Sequence, residues 1–249
     1  MVFDFTFFAF AIPATIFAGI SKGGFGSGAA FVASAILALI LEPTIALGIM
    51  LPLLMFADVA ALKPFWGKWH TPSAKTIMIG ALPGVILGAF FFSMVNDQAI
   101  RLLLGAICLI FVAYQLARHL GYLSVAPRPF KAREGYLAGL TGGFSSFVSH
   151  AGGPPVAVFL LAQGMSKTAY QATTVLCFWL INILKFVPYA FLGIFSGETF
   201  LAVVFLAPFA VLGAYIGIKA HWMIPERLFF TITYVLLAVT GLRLIWISL

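Results

Sequence analysis

Two stretches of the chain place glycines, hydroxyl groups and basic side chains between apolar runs: SKGGFGSG at 21–28 and SSFVSHAGG at 145–153. Glycine permits backbone angles that other residues avoid and lets another group approach closely. A helix that begins after such a stretch adds unpaired amide groups and a positive partial charge. We expect helices to restart near Gly28 and Gly153, with Pro154 and Pro155 suited to the first turn of the second. Both stretches are therefore candidate anion sites.

The candidate substrate-binding residues are the polar and glycine residues of these stretches, together with two residues of a later apolar run. They are Ser21, Lys22, Gly23, Gly24, Gly26, Ser27 and Gly28 in the first stretch, Ser145, Ser146, Ser149, His150, Gly152 and Gly153 in the second, and Asn182 and Lys185 in the run 169–195. Close helix packing is the alternative for the glycines, and it is the role we assign to Gly80, Gly84 and Gly88.

Charged and titratable residues inside apolar runs are functional candidates, because a charge at the bilayer centre costs about 2.5–3.5 kcal/mol even on lenient scales. Lys185 could balance a transported anion or form a structural ion pair with Asp58. Lys22 could contact the substrate or be one more positive residue at the cytoplasmic surface. His150 and Asp58 are candidates for carrying a coupling proton. A structural hydrogen bond is the alternative for His150.

The composition indicates an integral membrane protein. Hydrophobic residues make up 63% of the 249 residues and charged residues only 8%, against roughly 25% charged in a soluble domain. Apolar runs near the bilayer-spanning length recur from end to end. The net charge of +7 lies in loops beside these runs, so it indicates membrane orientation and no nucleic-acid partner. Lipid and a small anion are the expected partners, and the sequence does not indicate an oligomeric state.

Catalytic, metal and cofactor chemistry is not indicated. Ser149 and His150 are adjacent on the chain and point in different directions on a helix, and neither has a GxSxG elbow nearby. The first stretch lacks the GxxxxGK[ST] order of a nucleotide loop. Cys108 and Cys177 show no metal-ligand or disulfide spacing. We therefore expect no enzyme activity, no metal and no cofactor.

An internal repeat organises the chain. A shift of 125 residues brings ALPGVILGAF at 81–90 onto LAPFAVLGAY at 206–215 and pairs Gly28 with Gly153. Each half contains five apolar segments, too continuous for the alternating strands of a membrane barrel. They lie at about 5–20, 29–41, 44–62, 76–95 and 99–117, and at 134–147, 154–164, 169–195, 200–218 and 228–247. The first two segments of each half are short for a span, which indicates re-entrant or broken helices.

The distribution of Lys and Arg predicts that the halves are inverted. The loop 63–75 contains three lysines, whereas its counterpart FSGETF at 195–200 contains only Glu198 as a charged residue. Positively charged loops stay in the cytoplasm, so equivalent loops face opposite sides. This places the linker at about 118–133 in the cytoplasm and both termini in the periplasm. Inverted repeats are characteristic of secondary transporters, whose sites lie where the repeats meet.

The stretches GISKGGFGSGAAF at 19–31 and GLTGGFSSFVSHAGGPP at 139–155 resemble those of the TauE/SafE family. These are the sulfite exporters, also described as toluene-sulfonate uptake permeases. The resemblance covers nearly the whole chain and implies transport of sulfite, sulfonates or other organic anions across a bacterial inner membrane, coupled to an ion gradient. The second stretch is less glycine-rich than the first, so the resemblance implies no symmetric site and no role for His150 or Lys185.

The sequence therefore predicts an all-α polytopic membrane protein with two inverted-topology repeats of about five helical segments each, opened by short broken or re-entrant helices. One transmembrane transport domain is expected over 1–249, with repeats at about 1–121 and 133–249. The predicted function is secondary transport of small anions by alternating access, in the cell inner membrane. The alternatives are a passive anion channel and a non-transporting membrane enzyme or assembly factor.

Overall fold

The computed structural model describes residues 3–26, 29–123, 128–223 and 226–249, with only the backbone described for 226–230. Within these ranges the chain is all-helical. The helices are α1 Phe5–Gly24, α2 Phe31–Leu37, α3 Pro43–Phe65, α4 Thr71–Met94, α5 Asp97–His119, α6 Ala132–Ser149, α7 Gly153–Leu161, α8 Lys167–Phe191, α9 Gly197–Met223 and α10 Glu226–Trp246.

Each predicted apolar segment coincides with one of these helices. Six of them, α1, α3, α4, α5, α8 and α9, are long and apolar enough to cross a membrane. The prediction of an all-helical, multi-pass membrane protein is therefore confirmed. The inverted relation of the halves stays a prediction.

The two breaks lie several residues later than the sequence suggested. α1 has 20 residues and continues through Ser21, Lys22 and Gly24, so the prediction that it is too short to span is wrong. α6 has 18 residues and includes Ser145 and Ser149. The glycines and serines do not end these helices because neighbouring helices and local hydrogen bonds hold them in helical conformation. Only the second helix of each half is short, with 7 residues in α2 and 9 in α7.

Glycines let two pairs of helices approach to backbone contact. α1 lies along α9, where a Cβ on Gly19 or Gly213 would overlap backbone atoms of the facing helix. α4 lies along α6, where a Cβ on Gly84 would overlap the carbonyl oxygen of Leu140. Small residues at such contacts allow the close backbone packing typical of membrane helices. The packing role predicted for Gly80, Gly84 and Gly88 is confirmed.

Gly84→Ala should destabilise the protein, because the added Cβ forces α4 and α6 apart. Overpacking of this kind costs about 1–3 kcal/mol. Thermal unfolding in detergent measures the change, and Gly197→Ala is the matched control, since a Cβ at Gly197 meets nothing within 4 Å. Equal melting temperatures for the two variants would show that this contact does not limit stability.

α6 and α7 form a helical hairpin in which the start of α6 and the end of α7 lie side by side. Arg128, before α6, pairs with Glu134 in the first turn of α6, with 3.1 Å between Nη2 and Oε2. The backbone N–H of Arg128 also donates to the carbonyl oxygen of Ala162, at the end of α7, at 2.7 Å. The start of α6 and the end of α7 therefore lie at the same end of the bundle. We call this end of the bundle, marked by residues 128–134, the linker end.

The open ends of the first hairpin lie at the opposite end. The ring of Phe8 near the start of α1 contacts Phe205 in the first half of α9. After α2, the carbonyl oxygen of Leu41 accepts a hydrogen bond from Arg101 in the first turns of α5, at 3.4 Å. Since α5 runs from there toward the linker, the hairpins α1–α2 and α6–α7 open toward opposite ends of the bundle.

Candidate functional site

Five polar side chains from four parts of the chain lie together inside the helical bundle. Lys22 comes from α1, Asp58 from α3, His150 from the break between α6 and α7, and Asn182 and Lys185 from α8. Their exposed fractions lie between 0% and 4%. We call these five residues the polar cluster. Four of them are predicted substrate-binding residues, and Asp58 and His150 are the two predicted proton carriers.

Asp58 connects α1 to α8 through both of its carboxylate oxygens. Lys22 Nζ donates to Oδ1 at 2.7 Å and to Oδ2 at 2.9 Å. Asn182 Nδ2 donates to Oδ2 at 2.7 Å. Lys22 is thus an internal ion-pair partner, and the alternative of a residue at the cytoplasmic surface is wrong. The sequence suggested an ion pair between Asp58 and Lys185 as one alternative, but in the structure Asp58 pairs with Lys22.

Lys185 lies against the second break and binds neutral groups. Its Nζ donates to the carbonyl oxygen of Ser146 at 3.0 Å and lies 2.8 Å from His150 Nδ1. His150 Nε2 lies 3.2 Å from the carbonyl oxygen of Leu47 on α3. A carbonyl oxygen only accepts, so the proton of His150 is on Nε2, and Nδ1 accepts from the ammonium group. In this arrangement His150 is the neutral tautomer.

The polar cluster contains two lysines and one aspartate. Asp58 is bound to Lys22, and among the described residues Lys185 has no carboxylate within ion-pair distance. An uncompensated buried charge is strongly unfavourable. An anion bound beside Lys185 would provide the opposite charge that this lysine lacks among the described residues.

The backbone of His150 supports a functional interpretation. It has φ 57° and ψ 8°, the left-handed conformation, and is the one described residue other than glycine with a positive φ. Glycine normally occupies this position after a helix. Strained backbone persists where the surroundings enforce it and is common at functional sites. The conformation points the imidazole at Lys185.

Two residues that share this region were not predicted from the sequence. Tyr189 is fully buried and its hydroxyl donates to the carbonyl oxygen of Phe147. Gln171 Nε2 donates to the carbonyl oxygen of Lys22 at 2.7 Å. At 100° per residue, positions 171, 182, 185 and 189 fall within about 60° on one face of α8. That polar stripe is the signal that could have identified them.

Local hydrogen bonds account for most of the predicted serines. Ser21 Oγ donates to the carbonyl oxygen of Gly26 at 3.1 Å and stabilises the end of α1. Ser145 and Ser149 donate to carbonyl oxygens one turn earlier in α6. Ser146 contributes its backbone carbonyl to Lys185. The hydroxyl groups of Ser21, Ser145 and Ser149 therefore maintain the two helix ends.

Packing accounts for most of the predicted glycines. A Cβ on Gly23 or Gly24 would overlap the backbone of α9, and one on Gly152 would contact α6. Gly26 has φ +76° and lies against Tyr170, so it provides the turn after α1. For these residues the structure supports the packing alternative. Ser27 and Gly28 lie outside the described residues.

The helix starts differ from the predicted pair of anion sites. α2 begins at Phe31, close to the predicted restart near Gly28, and with 7 residues its partial charge is small. α7 begins at Gly153 as predicted, with both prolines in its first turn. Proline has no amide hydrogen, so few donors remain at that helix start. The lysines, and not the helix starts, provide the positive charge.

The fold and the polar cluster together define a multi-pass membrane protein with a charged site enclosed by its helices, the arrangement expected of a transport protein. The family model described as Sulfite exporter TauE/SafE matches residues 11–244. The chain belongs to this family of membrane transporters. No curated protein and no solved structure matches the chain.

Proposed function

We propose that the protein is a secondary transporter that moves small anions, such as sulfite, a sulfonate or another organic anion, across the bacterial inner membrane by alternating access. The observation that carries the proposal is the buried polar cluster, in which two lysines face one carboxylate. An anion bound beside Lys185 would balance the second lysine. The membership of the chain in the sulfite exporter family supports the same class of substrate.

The burial of the cluster favours a carrier over a channel. All five side chains are at least 96% covered by protein, so an anion reaches Lys185 only after helices move. An open channel would keep its selective groups in contact with water on both sides. The passive channel is therefore the alternative that the transport experiment must test.

The packing of the helices supports two related halves. In the two halves, α1 corresponds to α6, α3 to α8 and α4 to α9. The contact of α1 with α9 then corresponds to that of α6 with α4, and the contact of α3 with α9 to that of α8 with α4. All four contacts are present. The hairpins also open toward opposite ends, as an inverted repeat requires. We propose that the whole chain is one transport domain in which these halves move relative to each other.

The orientation follows from the positive charges. The linker end carries Arg128, Lys131 and Arg133, and we propose that it faces the cytoplasm. The start of α1 lies at the opposite end, as does Ser248, whose carbonyl oxygen accepts from Gln98 at the start of α5. We propose that both termini face the periplasm.

Asp58 and His150 are the proposed sites of coupling. Protonation of Asp58 would remove the negative charge that holds Lys22 and free this ammonium group for an anion. Protonation of His150 would place two donors face to face at the 2.8 Å contact with Lys185 and disrupt it. Either event links a proton to the charge available for the substrate.

Counterflow in proteoliposomes tests the transport mechanism. Vesicles loaded with unlabelled sulfite and diluted into trace labelled sulfite, with no imposed gradient, should accumulate label transiently above equilibrium and saturate with concentration. A carrier gives this overshoot because the excess unlabelled sulfite inside competes with the label for the sites that carry sulfite out. Flux without overshoot or saturation would identify a channel, and absence of flux for sulfite and for small sulfonates would contradict anion transport.

A further inference from the structure

An apolar groove lies on the outer surface of the bundle between α3 and α9. Its volume is about 960 Å³, and its lining is apolar or aromatic apart from Thr199. Its walls include the exposed side chains of Phe56, Leu212 and Tyr215. Along α9 the lining runs from Thr199 to Tyr215, which is about 24 Å at about 1.5 Å per residue, most of the roughly 30 Å hydrocarbon thickness of a bilayer. The groove therefore opens sideways to the membrane, where lipid acyl chains can enter it.

Two lysines continue the faces of α3 and α9 that line the groove. At about 100° per residue, Lys63 shares a face of α3 with Pro52 and Phe56, and Lys219 shares a face of α9 with Leu212. Both lysines are exposed. Neither has a carboxylate within ion-pair distance among the described residues. The lining faces of the groove therefore lead to two available positive charges.

The ends of α3 and α9 place these lysines at the same height in the membrane. The rings of Phe65 and His221 contact each other with 5.3 Å between centroids, and each ring lies two residues after one of the lysines. Trp66 and Trp222 follow at the same helix ends and are exposed. Exposed tryptophans are typical of the boundary between the hydrocarbon and water. The two ammonium groups therefore lie at the level of the lipid headgroups.

We propose that this groove binds an anionic phospholipid, with its phosphate beside Lys63 and Lys219 and an acyl chain between α3 and α9. Basic sites between membrane helices are suited to anionic headgroups. A second copy of the chain is a poorer occupant, because a two-fold axis beside the groove would bring the lysines of both copies together at one height. Charge complementarity therefore favours the lipid. The site is independent of the transported substrate.

Lipid binding to the purified protein in detergent tests the site. Phosphatidylglycerol and phosphatidylcholine with the same oleoyl chains differ in the net charge of the headgroup, and native mass spectrometry measures the affinity of the protein for each. Wild type should bind phosphatidylglycerol about 10- to 30-fold more tightly, as expected when two lysines each contribute a factor of about five.

A pair of charge variants tests the lysines. Lys63→Gln/Lys219→Gln should remove the preference for phosphatidylglycerol, because the phosphate loses both ammonium groups. Lys75→Gln/Lys131→Gln is the matched control, since it removes the same charge from two exposed lysines on α4 and before α6. The control should keep the preference. All four side chains are exposed, so each variant should fold.

A pair of bulky variants tests the groove. Val211→Trp adds a large side chain to the lining on α9 and should weaken the binding of both lipids. Val239→Trp is the matched control, because Val239 is exposed on α10, outside the groove. It should leave both affinities unchanged.

Four results would overturn the proposal. Equal affinity of wild type for the two lipids, or a preference that survives Lys63→Gln/Lys219→Gln, would exclude the lysines as the headgroup site. Loss of the preference in the control Lys75→Gln/Lys131→Gln would show that it reflects net charge alone. Unchanged binding by Val211→Trp would place the acyl chain outside the groove. A dimer that forms without lipid and excludes it would assign the groove to a second copy of the chain.

Discussion

Lys185→Met should weaken anion binding by about 10- to 100-fold and remove counterflow at substrate concentrations that saturate wild type. A hydrogen bond to a charged group contributes about 1.5–3 kcal/mol, and each 1.4 kcal/mol corresponds to a factor of ten. Lys185 is the ammonium group without a carboxylate partner among the described residues. Its loss removes the charge that would hold the substrate. The measurements are the saturation curve of counterflow and anion binding by thermal shift.

The stability of the same variant distinguishes a substrate role from a structural one. Methionine has nearly the length of lysine and carries none of the desolvation cost of a buried ammonium group without a carboxylate partner. The melting temperature without anion should therefore stay equal or rise, while its increase on adding anion should disappear. A lower melting temperature with unchanged counterflow would show that Lys185 only supports the fold.

Two controls complete this experiment. Lys68→Met removes an exposed lysine and should leave both binding and stability unchanged. His150→Gly removes the imidazole at a position whose left-handed backbone suits glycine. It should keep the fold and reduce transport. Retention of full transport by His150→Gly would exclude the imidazole from the binding and coupling steps.

The sequence predicted the helices well because long apolar runs have only one stable form in a bilayer. In the hydrocarbon every backbone group must be satisfied within the segment, so each run becomes a helix. The positions of the breaks were harder to predict. Gly23 and Gly24 can end a helix or allow close packing, and only the backbone of α9 lying against them decides between these roles.

The polar cluster was predicted in its members but not in its connections. Lys22 and Asp58 are 36 residues apart in the chain and Asp58 and Asn182 are 124 apart, so nothing local joins them. Periodicity was a usable signal only on α8, where Gln171, Asn182, Lys185 and Tyr189 share one face. Residue type alone did not show that the hydroxyl groups of Ser21, Ser145 and Ser149 donate to nearby backbone carbonyls.

The pair of Lys22 and Asp58 allows a second large effect to be predicted. Lys22→Met should leave a buried carboxylate without its cation, and Asp58→Asn a buried ammonium group without its anion. Breaking a buried pair in this way costs about 3–5 kcal/mol. At about 2–4 °C per kcal/mol for a protein of this size, each single variant should melt roughly 6–20 °C below wild type.

The double variant Lys22→Met/Asp58→Asn should recover most of this loss, since no unpaired charge remains. The amide oxygen introduced at position 58 can still accept from Asn182, so the contact between α3 and α8 is retained. A double-mutant cycle of the free energies of unfolding measures the coupling between the two residues. Additive losses would show that the two groups do not form an ion pair in the folded protein.

Transport by the stable double variant then decides what the pair does. If Asp58 releases Lys22 to the substrate when it takes up a proton, the neutral double variant has neither the proton carrier nor the second cation. It should bind anion only through Lys185, with lower affinity, and its uptake should no longer respond to an imposed pH gradient. Uptake that responds to the gradient as in wild type would assign the Lys22–Asp58 pair to the fold alone and leave His150 as the coupling site.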